Sequence, residues 1–179
     1  YTSTEVSPLE RHFYKVNIKN GKKVKITKEH GTHNVSVSAS GKYFIDNYSS
    51  TDVARNVDIM DLNGNFVKRL HEADDPLKNY NIGTIELGTL EAEDGQTLYT
   101  RMIKPYNFDP NKKYPVIIYV YGGPHAQMIT DSWTADAGIY LHYLSQEGFI
   151  VFTLDNRGSA DRGEAFEQVI HRQCGQAEM

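Results

Sequence analysis

The sequence predicts a mixed fold, in which blades of the β-propeller type are followed by a unit of alternating strands and helices. Short alternating strand patterns separated by tight turns fill the chain up to about residue 75. Beyond residue 80 the pattern changes to apolar strands, each followed by a helix pattern. That alternation is typical of an α/β domain.

The first part of the chain has the strand count of a propeller blade and a half. Residues 12–18 and 23–27 flank an Asn-Gly turn, which predicts a β-hairpin. Four more short strands follow at 33–38, 43–50, 56–62 and 66–72. Four such strands make one blade. One and a half blades do not close a ring, so we expect further blades outside this chain.

A polar segment that contains Pro76, EADDPLKNYN, separates the two patterns. It predicts a domain boundary near residue 80, which gives domains at residues 1–80 and 81–179. The second domain opens with a predicted hairpin at 84–105 that turns at Asp94-Gly95.

Two apolar strands then alternate with two helix patterns. The run VIIYVY at 116–121 and the strand 149–155 lack polar alternation, which predicts strands covered on both faces of a largely parallel sheet. A helix capped by Asp131 or Ser132 is predicted to end at Gly148. The second helix, 161–173, begins with Asp161 and Glu164 at capping-box spacing.

Composition excludes several classes of protein. The 179 residues carry 19 Lys and Arg against 23 Asp and Glu, a net charge of −4, so nucleic acid is not an expected partner. The single cysteine, Cys174, excludes an internal disulfide framework. The seven histidines have no metal-ligand spacing, and we expect them to be solvated or packed individually. No metal or cofactor is predicted.

Tyr121 is the candidate catalytic residue, at the end of a strand in the segment YVYGGPHAQ. Catalytic groups in open α/β sheets gather at the carboxyl ends of strands. A phenol is a good hydrogen-bond donor to a developing oxyanion. An aromatic residue at a strand end more often packs in a core, so both interpretations stay open. The glycines beside it do not fit the nucleotide-binding patterns.

Asp155 and Arg157 lie at the carboxyl end of the next strand, in TLDNRGS. They are candidates for a substrate clamp, but an ion pair that holds the loop is the favoured interpretation. No GxSxG sequence occurs in the chain, so it contains no recognisable nucleophile.

The segments KYPVIIYVYGGPHAQ, FTLDNRGS and RGEAFEQVIHR resemble the start of the α/β-hydrolase domain of the prolyl oligopeptidase superfamily. They are most similar to its dipeptidyl peptidase IV and prolyl tripeptidyl aminopeptidase branch. The strand-rich first part resembles the end of that family's β-propeller. Gly122 and Gly123 match the bacterial form of the motif, whereas Asn156 replaces the small residue that often precedes RGS.

The resemblance implies a serine exopeptidase that removes N-terminal di- or tripeptides after proline, acting on peptides with a free N-terminus. Tyr121 matches the tyrosine that donates to the oxyanion in this family. The triad Ser, Asp and His have no counterparts here, so we expect them beyond Met179 and expect the chain alone to be inactive. The resemblance also implies a homo-oligomeric parent protein, exported to the periplasm or surface of a bacterium, although the chain shows no signal peptide.

Two alternatives stay open. An acylaminoacyl peptidase or oligopeptidase of the same superfamily would share these motifs. A self-sufficient β-rich binding module would use the YGGP loop to contact a partner without catalysis. The ends of the chain favour an internal fragment of a peptidase, because the chain begins within a predicted blade and stops after a predicted helix.

Overall fold

The computed structural model describes residues 1–178 and divides them into two compact units. The first unit contains Tyr1–Pro76 together with Thr130–Thr134. The second contains Leu77–Ile129 and the residues from Ala135 onward. Strands are the main regular structure in both, and short helices occur only in the later part of the chain.

The first unit begins with a small antiparallel sheet of three strands. These are β1 (Thr2–Ser3), β2 (His12–Val16) and β3 (Lys23–Lys25), in that order. Tyr14 pairs with Lys25 and Val16 with Lys23, so the predicted hairpin is confirmed.

A four-stranded antiparallel meander follows and confirms the predicted blade. Its strands are β4 (Thr32–Val37), β5 (Tyr43–Ser50), β6 (Val53–Asp61) and β7 (Phe66–Glu72), in sequence order. The turn between β6 and β7 contains Gly64, whose φ is +79°. A β-carbon on Gly64 would lie 2.4 Å from the carbonyl oxygen of Ile26, so only glycine allows this turn to pack against the preceding hairpin.

Two histidines lie in the interior of this unit and pack against each other. His12 and His33 are 0% and 2% exposed, and their ring centroids are 5.2 Å apart. His33 Nδ1 lies 2.8 Å from Asp46 Oδ2, and His12 Nδ1 lies 3.0 Å from Thr27 Oγ1. The prediction that the histidines pack individually is therefore wrong for this pair, because the strands β2 and β4 bring the two buried rings into contact.

The second unit contains a mixed four-stranded sheet. Its strands are β8 (Thr84–Glu91), β9 (Thr97–Lys104), β10 (Val116–Tyr119) and β11 (Ile150–Leu154), in the order β10-β11-β9-β8. β8 and β9 form the predicted antiparallel hairpin. β10 and β11 are parallel, with Tyr119 opposite Thr153. Helix α1 (Ile139–Gln146) lies between β10 and β11 in sequence, which confirms the predicted α/β pattern.

The first helix begins later than the sequence predicts. Trp133–Asp136 forms a 3₁₀ turn, and Thr134, Ala135 and Asp136 have positive φ angles. The Asp131 amide donates to the Leu9 carbonyl at 2.7 Å, and the Trp133 amide donates to Ser49 Oγ at 2.8 Å. Asp131 and Ser132 do not cap α1, because this segment bonds to strands and loops of the first unit instead.

The second predicted helix is also shorter. Helix α2 (Glu164–Glu167) is followed by a 3₁₀ turn at Gln168–Ile170. Its N-cap residue is Gly163, at φ +86°, and no side chain caps the helix. The capping box predicted from Asp161 is therefore wrong, since the backbone turns at Gly163 before the helix begins.

The core of the second unit is formed by β9, β11 and α1. Ile103, Ala137, Leu141 and Val151 are buried there. β10 is an edge strand among the described residues, and Val116 and Ile118 are 55% and 68% exposed. The prediction that β10 is covered on both faces is not met in this structure. None of the helices in residues 1–178 has the length and apolar character needed to cross a membrane.

Candidate functional site

The candidate site lies at the carboxyl ends of β10 and β11. Because Tyr119 pairs with Thr153, the residues two positions further on, Tyr121 and Asp155, follow the ends of neighbouring parallel strands. This is the edge of an α/β sheet where catalytic groups collect. The parallel register of the two strands fixes this placement.

Tyr121 projects from the start of an irregular loop. Tyr121 is 55% exposed, and Gly122, which follows it, has a φ of +70°. Only glycine adopts that backbone conformation without strain, so the chain can turn sharply as soon as the strand ends. The exposed phenol is thus accessible to a group that approaches this edge of the sheet.

Asp155 holds the loop that follows Tyr121. The Met128 amide donates to Asp155 Oδ1 at 2.7 Å, and the carboxylate also accepts from the Ile129 amide. Burial raises the pKa of Asp155 to about 6, against the lowering effects of the two amides and the nearby Arg101. Its side chain therefore serves as a buried acceptor for backbone groups.

Arg101, on β9, holds the same loop by donating hydrogen bonds to backbone carbonyls of the loop. The guanidinium is 1% exposed and donates through Nη1 to the carbonyls of Met128 at 2.8 Å and Ala135 at 2.5 Å. Nη2 donates to Thr153 Oγ1 at 3.2 Å. Burial lowers the pKa of Arg101, opposed by the charges of Asp136 and Asp155. Arg101 thus connects β9, β11 and the loop.

A further backbone contact holds the loop near Tyr121. The His125 amide donates to the Gly158 carbonyl at 3.1 Å, and the His125 ring pairs with Glu167. Gly158 has a φ of +99°, which favours glycine, and a β-carbon there would lie 2.5 Å from Cδ1 of Ile170 in the turn that follows α2. The loop between Tyr121 and α1 is therefore fixed at several points while the tyrosine itself stays exposed.

The predicted ion pair between Asp155 and Arg157 is not formed. Arg157 pairs with Asp94 of the β8–β9 turn and stacks over the ring of Phe166. Asp155 is occupied by the amides of Met128 and Ile129. Both residues do hold the loops in place, but each does so through a different partner.

Sequence reasoning did not single out Arg101. The signal that could have found it is its position in β9, where it alternates in phase with Ile103, a core residue. A charged residue at an inward-facing strand position indicates a buried network. In residues 1–178, no group of three or more His, Cys, Asp and Glu side chains is arranged to hold a metal ion.

Comparisons with known families match both ends of the chain. Residues 1–55 match the family model described as the dipeptidyl peptidase IV N-terminal region. Residues 136–179 match the model of the prolyl oligopeptidase family.

Solved structures and curated relatives give the same result. A Bacteroides ovatus protein assigned as a dipeptidyl aminopeptidase IV superposes with a TM-score of 0.86 and 42% identity, over 92% of this chain and 24% of that one. Porphyromonas gingivalis dipeptidyl peptidase 4 gives a TM-score of 0.90 and 29% identity, over 99% of this chain and 25% of that one. Human dipeptidyl peptidase 8 is 30% identical over all of this chain and 21% of its own length.

The chain has a propeller-type blade, followed by a mixed sheet whose parallel strands end at the YGGP loop. Together with these matches, this places the chain in the prolyl oligopeptidase superfamily. Within it, the chain belongs to the dipeptidyl peptidase IV branch. It spans about a fifth to a quarter of the length of these relatives. The two family matches indicate that this part contains the junction between propeller and hydrolase.

Proposed function

We propose that this chain is part of a longer serine exopeptidase that removes N-terminal di- or tripeptides after proline. In this proposal Tyr121 donates its hydroxyl to the oxyanion of the tetrahedral intermediate. The observation that carries it is the position of Tyr121: an exposed phenol directly after a parallel strand, within the YGGP motif of a chain of the dipeptidyl peptidase IV branch.

The reaction proceeds through an acyl-enzyme. A serine attacks the carbonyl carbon of the scissile bond, and negative charge develops on the carbonyl oxygen. A neutral phenol that is already in place stabilises this charge without reorganising at the moment of reaction. The buried groups of Arg101 and Asp155 act further from the reaction, because they hold the loop that begins at Tyr121.

The Ser, Asp and His of the triad belong, in this proposal, to a part of the longer protein that follows residue 179. A βαβ unit takes roughly 30 residues or more, so a GxSxG elbow should follow within about one such unit. The reading frame that encodes the chain tests this directly. A frame without such an elbow across its next two strands contradicts the proposed activity.

The remaining parts of the proposal concern the whole protein. Residues 1–80 form the last blades of its propeller, and residues 81–179 form the start of its hydrolase domain. Its substrates are peptides with a free N-terminus, and it acts as a homo-oligomer after export from a bacterial cell. The dipeptidyl peptidases that the chain is similar to support its action on peptides. The free N-terminus, the oligomeric state and the export are implied by the family resemblance alone.

The decisive experiment is Tyr121→Phe in the full-length peptidase. The substitution keeps the ring and removes only the hydroxyl. We expect kcat on an Ala-Pro anilide to fall by about 10² to 10³ while KM changes little, the usual effect of losing one oxyanion donor.

Tyr140→Phe is the matched control, because Tyr140 is a similarly exposed tyrosine, on α1 of the same unit. Tyr140→Phe removes a hydroxyl in the same way and should leave kcat unchanged. An unchanged kcat in Tyr121→Phe would instead assign Tyr121 to packing.

A further inference from the structure

The ring of Tyr121 lies against the backbone of Gly123, two residues later. A β-carbon built on Gly123 would lie 2.8 Å from Cε1 of Tyr121 and 3.2 Å from Cζ. Real β-carbons essentially never come within 3.0 Å of a heavy atom outside their own and the two adjacent residues. Any side chain at residue 123 therefore requires the ring to move.

The neighbouring glycine is needed for a different reason. Gly122 has a φ of +70°, and a β-carbon there would meet no atom within 4 Å. Gly123 is not among the residues with positive φ, so its φ does not by itself require glycine. The three atoms nearest to a β-carbon at position 123 all belong to the ring of Tyr121.

We propose that Gly123 is a positioning residue for Tyr121, because its missing side chain provides the space in which the ring lies and so determines where the hydroxyl points. The inference rests on the proposed oxyanion role of Tyr121. Cζ, one of the two crowded ring atoms, is the atom that carries the hydroxyl.

A side chain at residue 123 should displace the Tyr121 hydroxyl without lowering the stability of the fold. The crowded atoms belong to the outer end of the flexible Tyr121 side chain, so the ring can turn away from an added β-carbon without a shift of the backbone. An oxyanion donor must lie about 2.7–3.1 Å from the developing charge. A displacement of about 1 Å in a catalytic group lowers the rate by as much as about 10².

The test is Gly123→Ala in the full-length peptidase, alone and combined with Tyr121→Phe. We expect the single variant to lower kcat by about 10- to 100-fold, with little change in KM or melting temperature. In the Tyr121→Phe background the same substitution should change kcat by less than about 2-fold, because the hydroxyl that it displaces is already absent. A structural role elsewhere would give the same loss in both backgrounds.

Gly138→Ala is the matched control. Gly138 has a φ of −63°, and a β-carbon there would meet no atom within 4 Å, so alanine fits without strain or contact. Its kcat should equal that of the unmodified peptidase. A second measurement is the affinity for a peptidyl-proline boronic acid. Its tetrahedral adduct with the serine presents an oxygen to the Tyr121 hydroxyl. Gly123→Ala should weaken this affinity only when the Tyr121 hydroxyl is present.

The outcomes separate the inference from the proposed function. If Tyr121→Phe leaves kcat unchanged, the proposed oxyanion role fails. If Tyr121→Phe lowers kcat but Gly123→Ala does not, or if the two effects multiply, the positioning role fails while the oxyanion role stands. Loss of folding in Gly123→Ala would also overturn the inference, which requires the fold to be retained.

Discussion

Arg101 and Asp155 both bind the backbone of Met128, in the loop that follows Tyr121, one through its carbonyl and the other through its amide. Arg101 Nη1 donates to the Met128 carbonyl at 2.8 Å, and Asp155 Oδ1 accepts the Met128 amide at 2.7 Å. The two side chains come from β9 and from the end of β11. A loop without regular structure is thereby fixed by two buried charges of opposite sign.

Removal of Arg101 should destabilise the fold strongly. Arg101→Met leaves the part-buried carbonyl of Met128 and the buried carbonyl of Ala135 without their donor and removes the positive charge near Asp155. We expect the free energy of unfolding in urea to fall by about 3 kcal/mol. The control is Lys104→Met on the same strand, which breaks an exposed pair with Glu86 and should cost less than about 1 kcal/mol. Equal decreases in the free energy of unfolding of the two variants would show that the buried hydrogen bonds of Arg101 stabilise the fold no more than the exposed pair does.

Asp155 should make the stability of the protein depend on pH. Its pKa is raised from 3.8 to about 6 by burial, so between these values the folded protein keeps a proton that the unfolded chain has released. The free energy of unfolding therefore falls as the pH rises from about 4 to about 6. Relative to Asp155→Asn, the unmodified protein should lose about 2 to 3 kcal/mol between pH 4 and pH 7. Parallel pH profiles for the two proteins would contradict the raised pKa.

His30 should titrate above its ordinary range because it pairs with Asp131. His30 Nδ1 lies 2.8 Å from Asp131 Oδ2, and this hydrogen bond raises the pKa of the imidazole. The contribution of this pair to the free energy of unfolding is complete below the ordinary pKa of histidine and is lost as the pH rises through the raised pKa of His30. In NMR titrations, Asp131→Asn should lower the pKa of His30 towards 6.5. Asp52→Asn should have a smaller effect, because Asp52 Oδ2 lies 3.8 Å from Nε2 and its side chain is 81% exposed.

Residues 1–179 expressed alone should associate and show no peptidase activity. β10 leaves its edge and the apolar side chains of Val116 and Ile118 exposed, and such edges pair with other chains. Light scattering should show oligomers, and Ile118→Lys should reduce their size. No chromophore should be released from Ala-Pro or Ala-Ala-Pro anilides, because an oxyanion donor without a nucleophile cannot form an acyl-enzyme. Hydrolysis proportional to the concentration of the chain and abolished by Tyr121→Phe would contradict this.

The strands and the location of the candidate site follow from the sequence alone. Alternating residues and Asn-Gly or Asp-Gly turns predict the hairpins and the blade, because a two-residue turn and the strand period are local properties. The apolar runs predict β10 and β11, and their parallel pairing brings Tyr121 and Asp155 to one edge of the sheet. These features need no knowledge of distant contacts.

Only the tertiary structure decided which groups are partners. Asp131, at a helix-cap position in the sequence, bonds to Leu9 and His30, and Arg157 pairs with Asp94 instead of Asp155. Sequence periodicity shows which face of an element is apolar, but a buried polar group takes whichever partner the fold brings within hydrogen-bond distance. The place of the Tyr121 ring over Gly123 was decided in the same way, by the path of the backbone after the strand ends.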